Sequence, residues 1–212
     1  MFADSDLLEI IRILEECYPE PVCALNYSKD YELLFSARLS AQCTDARVNM
    51  VTPVLFRRYP TLEAIATADM TELEEIIRPC GFFRIKSRDI VAAAAMLISE
   101  YDSRVPDEME DLLRLPGVGR KTANLMLGDI HNKPAVVVDT HCIRLSNRIG
   151  LTNEKNPVII EATLRDMLPS DKSSDFCHRL VLHGRAVCTA RRPDCMNCQI
   201  AGFCQCFHGE QK

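Results

Sequence analysis

No apolar stretch in the 212-residue chain approaches the ~20 residues that a membrane-spanning helix requires. The longest candidate, around Ile90 to Ile98, is alanine-rich and flanked by charge, so no membrane partner is expected. No apolar run follows a basic start, and a secretory leader is therefore not expected. Sustained alternation of apolar and polar residues occurs nowhere, which removes the sheet-based classes. Internal repeats, low-complexity runs and flexible linkers are missing too. What remains is an all-α protein, long enough to bury a substantial core as one large domain or two small ones.

Cysteine, by contrast, is abundant. Eleven cysteines is high for this length. The number is odd and nothing marks the chain for export, so metal ligation fits better than a disulfide framework. The expected compartment is reducing, the cytoplasm. Net charge is −5, which on its face argues against nucleic acid. Residues 1–111 carry 11 Lys+Arg against 21 Asp+Glu, a net of −10, while residues 112–212 carry 14 against 9, a net of +5. Such asymmetry is one cue for a nucleic-acid-facing surface, though helix faces that merely differ in charge would produce it as well.

Apolar residues at helical spacing predict an N-terminal helix over Asp6–Cys17 and another over Tyr31–Leu39. Helices follow over Ala46–Tyr59, Thr61–Ala66 and Met70–Arg78, with Asp69 and Glu72 resembling a capping box. Cys80 to Lys86 is expected to be a turn, with Ser87 or Asp89 opening a long alanine-rich helix to about Tyr101. Later helices are expected over Thr140–Arg148, Pro157–Leu168 and Ser173–Val187. The last 25 residues turn to Cys, Arg, Pro and Gly with little periodicity, as in a segment held by something other than a core.

Two constellations carry chemistry. The first is Leu115-Pro116-Gly117-Val118-Gly119-Arg120-Lys121-Thr122-Ala123, with Asp139 following 18 residues after the lysine. Helical periodicity on both sides makes this a tight turn between two helices, over about 107–130. Glycines there let the backbone approach another molecule, and amides at a helix start form an anion-binding corner. An amine attacks carbon only when neutral, and at an ordinary pKa of ~10.4 it is so about once in 2,500 molecules at pH 7. A helix N-terminus and desolvation both disfavour the ammonium at Lys121. On residues alone, a solvated or phosphate-binding lysine is the better assignment. Asp139 reads equally as an N-cap of the helix from Thr140 and as a catalytic carboxylate stabilising positive charge or moving protons.

The second is Cys188-x6-Cys195-x2-Cys198-x5-Cys204, four thiols within 17 residues. A [4Fe–4S] cluster takes four such thiolates; a structural zinc usually takes two short Cys pairs, of which only Cys195–Cys198 is present. Spacing favours iron–sulfur and leaves zinc open. Cys206 is a spare. Arg191 and Arg192 lie inside the first loop of this cluster. Cys17, Cys23, Cys43, Cys80, Cys142 and Cys177 are expected to be small buried residues.

The 115–123 nonamer, Val137-Val138-Asp139-Thr140-His141, the cysteine spacing and Leu39–Asp45 together resemble the endonuclease III family of DNA glycosylases, over essentially the whole chain. That resemblance implies a helix-hairpin-helix glycosylase fold, with a six-helix barrel over about 23–133 and an iron–sulfur lobe from 1–22 and 134–212. It implies a [4Fe–4S] cluster on Cys188, Cys195, Cys198 and Cys204. Lys121 matches the family's Schiff-base lysine, Asp139 its catalytic aspartate and Gln42 its wedge glutamine. Phe82 stands where an intercalating side chain is placed, with Phe83 and Ile85 as alternatives. Gly117, Val118 and Gly119 would offer amides to a phosphate, and Arg120, Arg191 and Arg192 would contact the DNA backbone. Arg84, Lys86, Arg88, Arg144, Arg148 and Arg185 are further candidates for phosphate contacts. The implied activity is a monomeric base excision repair enzyme on double-stranded DNA with damaged bases or abasic sites. It removes oxidised pyrimidines and cleaves the strand by β-elimination. A monofunctional glycosylase and a non-catalytic iron–sulfur DNA-binding protein are the alternatives.

Overall fold

The structure, a computed structural model, describes residues 4–210. Among these residues there are twelve α-helices and no β-strand. In order they are α1 (Asp4–Cys17), α2 (Asp30–Ser40), α3 (Asp45–Arg58), α4 (Leu62–Ala66), α5 (Met70–Ile77) and α6 (Phe83–Glu100). Next come α7 (Met109–Arg114), α8 (Arg120–Asp129), α9 (Thr140–Ile149), α10 (Pro157–Met167), α11 (Ser173–Ala186) and α12 (Gln205–Glu210). None of the described helices is long and apolar enough to cross a membrane. Contacts divide the chain into two units, Cys23–Asn132 and the combination of Met1–Val22 with Lys133–Lys212.

The Cys23–Asn132 unit is built on α2. Its Leu33, Leu34, Phe35 and Leu39 are all buried, and a helix apolar on most sides must be enclosed. α3, α6 and α8 pack against it. Each such side chain contributes roughly 1.5–3 kcal/mol by leaving water. Side-chain oxygens start three of the surrounding helices. Thr44 accepts from the Arg47 amide at 3.3 Å, Thr61 from Ala64 at 3.2 Å and Asp69 from Glu72 at 2.9 Å. Only half of the expected capping box forms, because the Glu72 carboxylate accepts from Arg58 at 2.6 Å and from the Tyr59 hydroxyl at 2.8 Å.

The start of α6 differs from expectation. Phe83 to Lys86 is the first turn of the helix, four residues ahead of Ser87, and Phe82 forms its N-cap with no side-chain hydrogen bond. A first turn without a capping side chain gives no local signal. It is held by tertiary contacts, Lys86 above all.

In the other unit α1 buries Leu7, Ile10, Ile11 and Leu14 and packs on α11. Asn156 caps α10, accepting from the Val158 amide at 3.0 Å, with Pro157 as the first helical residue. Among the described residues from Cys188 onward, only Ile200 is buried. Of the six cysteines expected to be buried, Cys80, Cys142 and Cys177 are, whereas Cys17, Cys23 and Cys43 are half-buried.

Candidate active site and metal centre

α7 and α8 form a helical hairpin whose turn depends on two glycines for different reasons. Gly117 has φ +76°, and a Cβ there would lie 2.6 Å from Arg38 Nε and 2.7 Å from Asp89 Oδ2. Those two side chains form an ion pair beneath the turn, with Arg38 Nε donating to Asp89 Oδ2 at 2.7 Å. Gly119 has an ordinary φ of −105°, and a Cβ there would meet nothing. Its missing side chain therefore opens the outer side of the turn to an approaching molecule. The Val118 amide donates to Leu115 O at 3.1 Å. Of the three amides expected to face a phosphate, that one is taken by the turn itself. Arg120 and Lys121 are both exposed in the first turn of α8. Burial pushes the Cys23 thiol up to about 11, and the cation of Lys121 acts on it in the opposite sense.

Two further turns in the same unit present exposed residues in the left-handed region. Gln42, between α2 and α3, has φ +55°, and Phe82, just before α6, has φ +47°. Non-glycine residues adopt this conformation at a cost, and such strain collects at functional sites. Phe82 is 61 % exposed and Ile85 53 %. Phe83 is only half-exposed, its ring 5.3 Å from the Arg78 guanidinium and 5.1 Å from that of Arg84. Lys86, expected among the phosphate contacts, is 1 % exposed. Its ammonium faces inward and makes no contact with the surface.

Asp139 belongs to the other unit. It is the N-cap of α9, its Oδ1 accepting from the Cys142 amide at 2.7 Å. The buried run Ala135–Val138 fixes the chain leading to it. The cap uses Oδ1 alone, and the residue is half-exposed.

Cys188, Cys195, Cys198 and Cys204 line one cavity of about 230 Å³, together with Arg148, Arg191 and the spare Cys206. No three His, Cys, Asp or Glu side chains among the described residues are gathered tightly enough to hold a single metal ion. Four thiols around one cavity match the number of thiolates that a [4Fe–4S] cluster takes. Burial pushes the Cys198 thiol up to about 11; a coordinated metal would deprotonate it outright. Donors surround the sulfurs. Arg148 Nη1 lies 3.3 Å from Cys188 Sγ and also donates to Thr189 O at 2.8 Å. His183 Nε2 lies 3.4 Å from Cys198 Sγ, while its Nδ1 is 3.1 Å from the Tyr18 hydroxyl. Burial pushes His183 down to about 4, so the neutral ring can accept from Tyr18 and donate toward sulfur.

Arg144 and Arg148 thus depart from their expected role. Arg144 Nη2 donates to Gly184 O and Cys188 O, both at 3.1 Å, and Arg148 Nη2 to Ala190 O at 2.9 Å. They secure the cysteine loop from α9. Arg191 and Arg192 are exposed on that loop. The roles of Arg144, Arg148 and His183 were not legible in the sequence. The only trace is that both arginines follow the cap of α9 at helical spacing, on one face.

Residues 35–170 match the HhH-GPD superfamily base excision DNA repair protein model, and residues 188–204 match the iron–sulfur binding domain of endonuclease III. The endonuclease III of Synechocystis sp. is 48 % identical over 197 residues, covering 92 % of this chain and 90 % of that protein. That of Bacillus subtilis is 38 % identical over 191 residues, covering 90 % and 87 %. A solved structure of a trapped endonuclease III–DNA covalent intermediate superposes with a TM-score of 0.93 at 36 % identity, covering all of both chains. A thermostable thymine-DNA glycosylase shares the fold, with a TM-score of 0.86 at 21 % identity, over 97 % of this chain and 98 % of its own.

Proposed function

The chain belongs to the endonuclease III family, and from that premise we propose that Lys121 and Asp139 carry its chemistry on damaged DNA. It is a base excision repair DNA glycosylase and lyase with a [4Fe–4S] cluster. Oxidised pyrimidines are the proposed substrates. The Lys121 amine attacks C1′ of the damaged nucleotide, forming a C–N bond as the bond to the base breaks and the base leaves with a proton. Opening of the sugar ring gives a Schiff base between Lys121 and C1′. Loss of a C2′ proton then expels the 3′ phosphate by β-elimination, and water releases the lysine. Asp139 has an oxygen outside its cap bond with which to stabilise an oxocarbenium-like sugar or relay protons.

The observation that carries this reading is the exposed amine of Lys121 in the first helical turn after a glycine turn opened on its outer side. A phosphate held at that corner brings the sugar to the lysine. Flipping the base out of the stack costs a few kcal/mol, and Gln42 and Phe82 are the proposed residues that fill the gap. Arg120, Arg191 and Arg192 would add contacts to the backbone without sequence preference. Bound to Cys188, Cys195, Cys198 and Cys204, the cluster supplies cross-linking of a loop with almost no core. A protein acting as a monomer on scattered lesions needs no further partner.

Borohydride reduces a Schiff base to a stable amine, so incubation with abasic-site DNA and borohydride tests the assignment. The wild type should form a covalent protein–DNA complex and Lys121→Ala should not. Equal trapping by Lys121→Ala would remove the lysine from the mechanism, and excision without trapping would mark a monofunctional glycosylase.

A further inference from the structure

The first turn of α6 carries a buried cation with an unusual set of partners. Lys86 Nζ donates to Leu39 O at 2.8 Å, Ala41 O at 2.9 Å and Cys80 O at 2.8 Å. An ammonium has three donors, and here each has a backbone carbonyl. Two of those carbonyls close the C-terminal end of α2, where the last carbonyls lack helical partners and a cation is favoured. The third ends the short turn before Gly81.

These three points flank the two strained residues. Ala41 immediately precedes Gln42, and Cys80 precedes Gly81 and Phe82. Each turn has a local backbone bond, Cys43 N donating to Ser40 O at 3.0 Å and Ile85 N to Phe82 O at 3.1 Å. But no side chain caps Phe82, the Ala41 position carries only a methyl group, and nothing local joins one turn to the other. A conformation of this kind costs about 1–3 kcal/mol and persists only where its surroundings over-determine it. Placing a cation in the first turn of α6 is itself unfavourable, as is removing it from water. Burial lowers the Lys86 pKa, with Arg38 acting in the same sense and the Cys80 and Cys43 thiols against it. A leucine or methionine would fill this space without those penalties, so packing alone does not explain a lysine. One amine bridging two turns 39 residues apart in sequence, from Ala41 to Cys80, does.

We infer that Lys86 is a positioning residue for base extrusion, clamping the Gln42 and Phe82 turns into one rigid two-pronged probe. The inference rests on the assignment of those two residues to the DNA gap. Lys86 touches neither base nor sugar; it acts through three carbonyls. Opening a paired duplex requires both prongs at a fixed separation, whereas attack on an unpaired strand does not.

The test measures covalent trapping on thymine glycol DNA, as a duplex and as the same strand alone. Lys86→Met should lower the ratio of duplex to single-strand rate by roughly 100-fold, the scale of an ångström-size misplacement. In a Gln42→Ala/Phe82→Ala background the same change should add little. An equal loss on both substrates, or an undiminished effect in that background, would overturn the inference and leave Lys86 a purely structural residue. If Gln42→Ala/Phe82→Ala itself leaves the ratio unchanged, the probe assignment fails and the inference with it. Absence of trapping by the wild type on either substrate points instead at the lyase assignment. Trapping on the duplex alone moves the comparison to a duplex with the lesion opposite a mismatch, where the Lys86→Met loss should shrink. Should Lys86→Met fail to fold, Lys86→Arg keeps the charge on a planar fork that cannot match three converging carbonyls. Faster amide exchange at Cys43 and Ile85 together in that variant supports the clamp, and unchanged exchange refutes it.

Discussion

At the scale of single residues, one side chain can serve the fold and the chemistry, and isosteric substitution separates the two. Asp139 caps α9 through Oδ1. Asparagine offers the same acceptor, so Asp139→Asn should melt within a degree or two of the wild type, a shift under about 0.5 kcal/mol. Asp139→Ala loses the cap and about 1 kcal/mol. Both variants should lose at least about 100-fold in single-turnover excision if the carboxylate is catalytic. Full activity in Asp139→Asn would reduce the residue to a cap. Gly117 is constrained twice over, by φ +76° and by the Arg38–Asp89 pair against its Cα. Gly117→Ala should cost about 1–2 kcal/mol from the left-handed backbone alone, with further loss from displacing Arg38. Gly119→Ala, at an ordinary φ facing open space, should leave the melting temperature nearly unchanged and weaken DNA binding. Retention assays and thermal melts on the pair show whether the second glycine is there for the ligand.

Among the elements, α9 has the densest set of duties. Its first residue follows the candidate catalytic cap, and one and two turns later Arg144 and Arg148 reach back to the cysteine loop. Outer groups that orient metal ligands typically matter roughly 10- to 100-fold in metal affinity. Arg148→Met should therefore speed bleaching of the cluster's visible absorbance by an iron chelator by about that factor, with the helical circular dichroism of the rest preserved. Bleaching at the wild-type rate would show the arginine to be incidental. The end of α3 offers a pH test. Tyr59 is pushed up from 10.0 to about 12, chiefly by burial and then by its bond to the Glu72 carboxylate, while the Arg58 and Tyr59 bonds hold Glu72 low. Folding thus favours the neutral phenol, and the associated stability is fully present below pH 10.0 and lost as pH rises through about 12. Spectrophotometric titration should find one tyrosine ionising near 12, and Glu72→Gln should bring it down.

Over the whole molecule, two different devices hold the chain. The helical units are held by burial, while the stretch beginning at Cys188 has Ile200 as its single buried residue among those described. Burial on that scale cannot offset the entropy of ordering some twenty residues at about 1–2 kcal/mol each. A metal cluster can. Cys198→Ala should yield colourless protein lacking iron and acid-labile sulfide, with this segment cut first in limited proteolysis. A brown variant, or stoichiometric zinc in the wild type, contradicts the cluster assignment. The acidic balance of the first half also has a structural side. Glu9 and Glu16 pair with Arg12, Glu72 with Arg58, Asp89 with Arg38, and Glu100 and Asp111 with Arg114.

Features that depend on neighbours in the chain could be read from the residues alone. Apolar period set the helices and excluded strands, the glycine nonamer placed the hairpin, Asp139-Thr140 announced a cap, and cysteine spacing pointed to the cluster, since loop length limits which thiols can share a centre. The direction of long side chains came only from packing. It buried Lys86 although its neighbours Arg84 and Arg88 are exposed, and it left Phe82 more open than Phe83. Packing also turned Arg144 and Arg148 toward carbonyls and brought His183 to a sulfur. A charged side chain spans enough distance to reach solvent or interior from the same backbone position. Its choice rests on carbonyls and donors supplied by elements far away in sequence, which no local pattern records.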